Sequence, residues 1–206
     1  MARCSKTESM VTRENILDAA ELCYRELGVS ATTMNHIAER AKCTRGAIYW
    51  HFREPSDVLF TVIERGQAPV WKHLRKLDDT ASEIIISLKE CIYQIFDDLA
   101  NNARVRAVAE IILWRCDFSG SQRKLWSGEW FRFSEIHDLI LRILRRAVHN
   151  GEIHESVDCK SVASLIVFSL VGAAKVLLDS TSTETFSSGV LDAFENIFNL
   201  IGYKIK

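Results

Sequence analysis

Residues 32–52 read TTMNHIAERAKCTRGAIYWHF, and the spacing within this stretch decides how the whole chain is read. Met34, Ile37, Ala38 and Ala41 recur at i, i+3, i+4 and i+7, one face of a helix. Thr32 or Thr33 stands where a helix cap belongs. Lys42-Cys43 makes a short break. Thr44 can then cap a second helix running through Phe52, with Ala47, Ile48 and Phe52 turned inward. Two short helices across a turn of a few residues have helix-turn-helix spacing. The second helix leaves Thr44, Arg45, Gly46, Tyr49 and Trp50 on its other side or at its start, with His51 at the rim. A helix entering a DNA major groove needs that layout: a capped start, a small residue for close approach, and hydrogen-bond donors around it.

Working outward, Ile16, Ala20, Cys23, Tyr24 and Leu27 mark one face of a preceding helix over 13–27, and Gly28 supplies its stop. Glu54-Pro55-Ser56 opens a further helix, since proline is tolerated in a first turn. Longer helices follow at roughly 56–76, 81–101, 104–118, 122–150, 158–179 and 185–203. The fold class is all-α: a three-helix helix-turn-helix domain over 1–55, then a longer helical domain over 56–206. Two prolines and nine glycines are sparse punctuation for so long a chain, which fits helices better than strands.

The chain has 206 residues, 48% hydrophobic and 26% charged, ordinary for a globular protein. Its formal net charge of -1 gives no global basic field, so any DNA contact must come from a local patch. Six cysteines show no C-x-x-C pair, and scattered thiols of this kind suit the cytoplasm. Cys43, at the helix-turn-helix junction, is the one thiol whose oxidation would disturb DNA contact. The start, MARCSKTESMVTRE, has no apolar core of a signal peptide. The most apolar run, Val162–Leu178, is interrupted by Ser164, Ser169 and Lys175 and reads as a buried helix rather than a membrane span. No H-E-x-x-H, G-x-S-x-G, P-loop or G-x-G-x-x-G pattern occurs, so no catalytic residue, metal ligand or cofactor is assigned.

The stretch ILDAAELCYRELGVSATTMNHIAERAKCTRGAIYWHF resembles the TetR family of bacterial transcriptional regulators: an apolar helix ending in Gly, a Thr-Thr start, an Ile-Ala pair, and Tyr-x-His-Phe closing the third helix. TRGAIYWHF and EIILWRCDF at 110–118 resemble the AcrR-type branch of multidrug-efflux repressors. Two positions depart from the family. Its usual turn glycine is Lys42 here, which implies an altered turn, because positive φ is uncommon outside glycine. Its usual lysine near position 55 is Pro55, which removes a phosphate contact that Arg53 replaces.

The resemblance implies a homodimer that binds a palindromic double-stranded operator and is released by a small, mostly apolar or amphipathic effector. It implies that the 1–55 domain is for DNA binding and the 56–206 domain for ligand binding and dimerisation. The implied target gene is an efflux pump, and no membrane is involved. Thr33, Tyr49 and His51 match family positions on phosphates, which set register. Lys42, Thr44, Trp50 and Arg53 join them, Gly46 and Ala47 permit approach, and Arg45 is the candidate base reader. Effector candidates at helical spacing are Ile92, Ile95, Glu110, Leu113, Trp114, Ile136, Ile140, Val167 and Leu170. Glu110 and Trp114 offer a carboxylate and a ring one turn apart to a cationic ligand. Val167, Leu170, Val171 and Ala174 form an apolar stripe for a dimer seam, beside Gly172 and Ala173. Two rival readings keep the fold: a ligand-binding protein acting through a protein partner, motivated by Lys42 and Pro55, and a regulator answering a lipid or acyl signal.

Overall fold

Helices dominate because apolar residues fall at helical spacing and polar caps punctuate them. The computed structural model describes residues 6–77, 82–116, 133–179 and 184–202. Among these, every regular element is helical. In chain order they are α1 (Lys6–Leu27), α2 (Met34–Arg40), α3 (Arg45–His51), α4 (Pro55–Lys76), α5 (Ile84–Asn101) and α6 (Ala103–Glu110). Helix α6 runs into a π turn at Ile111–Arg115. Then come α7 (Phe133–His149), α8 (Cys159–Leu178) and α9 (Glu184–Leu200). The expected breaks at 78–80, 119–121 and 180–183, and the expected helix start at 122, lie outside the described residues.

Two compact units form: Met1–Gln67 with Ala107–Trp130, and Ala68–Arg106 with Phe131–Lys206. The boundaries of these units fall within α4 and α6. The cause in α4 is Arg65. Its half of the helix is tied to α1 by ion pairs to Asp18 at 2.7 Å, Glu14 at 3.1 Å and Glu21 at 3.2 Å. The cause in α6 is contact with α4. A Cβ on Gly66 would come within 2.3 Å of the Val108 side chain, so α4 has no room there for anything larger than glycine. The chain passes from one unit to the other within α4 and again within α6.

The first unit is built on α1, α2 and α3. Ile16, Leu17, Ala20, Ile37 and Ile48 are at most 1% exposed, and each of the leucine and isoleucine side chains contributes about 1.5–3 kcal/mol by leaving water. Gly28 ends α1 at φ +83°, as its place in the sequence predicts. The second unit has one continuous core running through α5, α7, α8 and α9, with Phe96 and Phe194 packed at 5.3 Å between ring centroids. The first residues of α5 borrow a cap from a distant turn: the Ile85 N–H donates to the Glu152 carboxylate at 3.1 Å.

Helix α8 corrects one expectation. It is 20 residues with mean hydropathy 2.1, long and apolar enough by composition to cross a membrane. Its serines and Lys175 do not break it. Nor is it buried all round: 28% of its most apolar 18-residue window is buried within the chain. Ala163, Ile166, Val167 and Ala173 face the core, while Leu165 and Phe168 stand 44% and 73% exposed.

Candidate nucleic-acid interface

The two short helices begin on threonine caps. The Thr33 hydroxyl accepts from the His36 N–H at 3.2 Å, and the Thr33 N–H donates back to His36 Nδ1 at 3.3 Å. This is a capping box with histidine where glutamate or glutamine is usual. Thr44 Oγ1 accepts from the Ala47 N–H at 3.1 Å. Between the helices, Lys42 adopts φ +53°. The expected alteration of the turn does not occur. Lysine takes the left-handed conformation that glycine would take freely, at a cost of about 1 kcal/mol. The Cys43 N–H still reaches the Ala38 carbonyl at 3.0 Å, so the turn closes.

One face of α3 is inside and the other is bare. Ile48 is fully buried and Phe52 nearly so, its ring covered by the Arg13 guanidinium at 5.1 Å. On the bare side Tyr49 is 44% and Trp50 82% exposed, and Arg45 lies 6.0 Å from the Tyr49 ring. Lys42, Thr44, Gly46 and Arg53 are exposed too, whereas Ala47 and His51 are half-buried. A Cβ on Gly46 would touch one atom, Thr44 Oγ1, at an ordinary 3.7 Å. The protein's own packing therefore does not require glycine there.

Charge follows the same division. Arg25, Arg40 and Arg65 are paired with carboxylates, Glu110, Glu26 and the α1 trio. Lys42, Arg45 and Arg53 have no ion pair among the described residues. A chain of near-zero net charge thus keeps uncompensated cations around α2 and α3. A groove of about 280 Å³ beside them is lined by Tyr24, Thr32, Thr33, Asn35, Arg45 and Tyr49, among others. Of that lining, sequence reading assigned Thr33, Arg45 and Tyr49 to DNA and left out Tyr24, Thr32, Met34, Asn35, Ile37 and Pro55. Mapping the outward face of α2 along with that of α3 would have found Asn35.

The Cys43 thiol is pushed above its usual range by burial, which disfavours the reactive thiolate. The five described cysteines are free. No cluster of three or more potential metal ligands occurs among the described residues.

The effector candidates are divided between the two units. Ile92, Ile95, Ile136, Ile140, Val167 and Leu170 belong to the second unit, and Glu110, Leu113 and Trp114 to the first. Ile92, Ile140 and Val167 are core residues, while Trp114 is 55% exposed. The Glu110 carboxylate is held by Arg25, with Nε at 2.9 Å and Nη2 at 2.8 Å.

The model describing bacterial regulatory proteins of the tetR family matches residues 16–59, the stretch that carries this interface. The transcriptional regulator AcrR of Shigella flexneri is 30% identical, over 72% of this chain and 69% of that protein. The chain belongs to the tetR family. TtgR of Pseudomonas putida, another transcriptional regulator of this type, is 29% identical over 79% of this chain and 78% of its own length. SmeT, described as the repressor of the Stenotrophomonas maltophilia multidrug efflux pump SmeDEF, was solved in complex with triclosan. That structure superposes with a TM-score of 0.82 at 31% identity, covering 92% of this chain and 91% of SmeT. Within the family the chain is thus related to repressors of multidrug efflux pumps, as TRGAIYWHF and EIILWRCDF imply.

Proposed function

We propose that the protein is a cytoplasmic, homodimeric repressor that binds a palindromic operator and leaves it when a small, mostly apolar effector occupies the second unit, and that it controls an efflux pump. The observation that carries the DNA reading is the outer side of α3. Arg45, Gly46, Tyr49 and Trp50 are exposed there with unpaired cations around them, and no internal packing accounts for the glycine or for the bare ring. In this reading Thr33, Lys42, Tyr49, His51 and Arg53 contact phosphates and set register. Arg45 reads a guanine, and Thr44, Gly46, Ala47 and Trp50 shape the approach.

One such unit binds weakly, and a two-fold pair spans two half-sites. The open face of α8, with Leu165 and Phe168, supplies the seam. It replaces the stripe of Val167, Leu170, Val171 and Ala174, whose members are buried or half-buried within the chain. Beside it, α8 and α9 leave a groove of about 380 Å³ lined by Ser169, Ala173, Val176, Val190 and Phe194. The effector contacts are Ile92, Ile95, Ile136, Ile140, Val167 and Leu170, an aliphatic set suited to a compound such as the triclosan bound by SmeT. Release requires the effector to prefer the conformation whose recognition helices no longer match adjacent major grooves. The rival reading through a protein partner loses one of its two motives, because the turn at Lys42 is intact.

The test is fluorescence anisotropy with DNA from upstream of the protein's own gene, against scrambled DNA, at two salt concentrations. Specific binding lost in Arg45→Ala, by the roughly 1–3 kcal/mol of one bidentate base contact, supports the reading. Equal, weak binding to both DNAs, with no site found by genome-wide selection, sinks it.

A further inference from the structure

The residues that end α6 have their polar atoms committed to α1 and the turn after it. Glu110 accepts a hydrogen bond from Arg25 Nε and is ion-paired with its Nη2, in the last turn of α1. Five residues later the Arg115 carbonyl accepts from the Val29 N–H at 3.1 Å. The two grips bracket Gly28, where α1 stops. Bonding then runs on towards the reader. The Thr32 N–H donates to the Val29 carbonyl at 3.3 Å, and Thr32 Oγ1 donates to the Gly28 carbonyl at 2.7 Å. The next residue, Thr33, caps α2. One short turn is therefore held by α6 at its start and holds the α2 cap at its end.

The π turn at Ile111–Arg115 makes the double grip possible. In an α-helix of 3.6 residues per turn, position 115 lies about 140° round from position 110. Closing at i→i+5 brings 115 back above 110, on the side that meets α1. Single π turns are rare and recur at functional sites.

We propose that residues 110–115 are a two-point latch: Glu110 and the Arg115 carbonyl are positioning groups that fix the Gly28–Thr33 turn and so the setting of α2 and α3. The proposal rests on reading α3 as the DNA reader.

Amide hydrogen exchange on the full chain tests this without DNA or effector. In Glu110→Gln, the Val29, Thr32 and His36 N–H groups exchange about two- to fivefold faster, the range expected for losing a partly exposed ion pair. Core amides such as Ile143 and Leu144 keep their rates. The exchanged pair Arg25→Glu with Glu110→Arg returns the three amides towards the original rates. Unchanged exchange at those amides overturns the latch. So does a rise that includes Ile143 and Leu144, or one that the exchanged pair does not reverse, since either marks a structural role alone. In the anisotropy assay, Glu110→Gln lowers affinity for the upstream DNA by a similar factor and leaves scrambled DNA unaffected. Absence of specific binding in every variant and in the parent overturns the DNA reading, and the exchange rates then still decide the latch.

Discussion

Helices α2 and α3 are seven residues each, and both start on a threonine whose hydroxyl caps the backbone. Helix α8 is 20 residues, and its polar detail is confined to its ends and a few serines. The short helices could not stand alone, since isolated helices below about 12 residues are marginal in water. Caps, a strained turn and the packing of Ile37 and Ile48 hold them. The long helix has apolar surface to spare on the side away from its own core. The first unit thus fixes geometry through individual hydrogen bonds, and the second through area. A reading head needs its side chains in register to a fraction of a turn, whereas an apolar core tolerates repacking at similar volume.

The contrast breaks most visibly in the second unit. Phe194→Ala removes a ring that is 1% exposed and packed on Phe96. It should cost about 3–5 kcal/mol, seen as a lower urea midpoint, with operator affinity per folded molecule unchanged. A parallel loss of affinity would mean that the second unit also fixes geometry.

Phe168→Glu comes next. A charge on a 73% exposed position barely affects a lone chain, so sedimentation should show dissociation of the pair with little loss of helicity. A variant that stays dimeric moves the seam elsewhere. Gly66→Ala places a methyl against Val108. Overpacking costs about 1–3 kcal/mol, partly offset by about 1 kcal/mol of better helix propensity. Thermal unfolding should show a net loss, and a gain would mean that α4 and α6 can separate freely.

Lys42→Gly relieves the turn and should stabilise the chain by about 1 kcal/mol. It should also lower the salt slope of operator binding by about one unit. Stabilisation with an unchanged slope would leave Lys42 no phosphate. The smallest effect concerns pH. Lys89, then the Tyr93 hydroxyl, hydrogen-bond the Glu195 carboxylate and hold it below its ordinary range. Burial, then that hydrogen bond, pushes Tyr93 up to about 12. A depressed carboxylate contributes stability that is full above its unfolded value and lost as pH falls through its folded one. Glu195→Gln should therefore destabilise at neutral pH and flatten the acid limb of stability against pH.

The first unit was legible because its signals are local. Gly28, the threonine caps and the 3.6-residue repeat each act within a turn or two of sequence. The family match rests on the same residues. Lys42 was misread as a changed turn, because propensity alone does not say when closing hydrogen bonds outweigh strain. The pairing of Glu110 with Arg25 was not legible, because the partner is 85 residues away in sequence. Spacing within one helix cannot reveal such a pairing. That the chain itself partly covers Val167, Leu170, Val171 and Ala174 was hidden for a related reason. When a helix is apolar on every side, periodicity cannot say which side its own chain has already covered.

The left-handed lysine has a consequence for how this turn can vary. Asparagine tolerates positive φ better than lysine does, and either lysine codon becomes an asparagine codon through its third base alone. Glycine requires changes at the first two bases. A selection for thermostability by single-base mutation would therefore reach asparagine at position 42 before glycine. It would relieve the backbone and discard the cation in the same step.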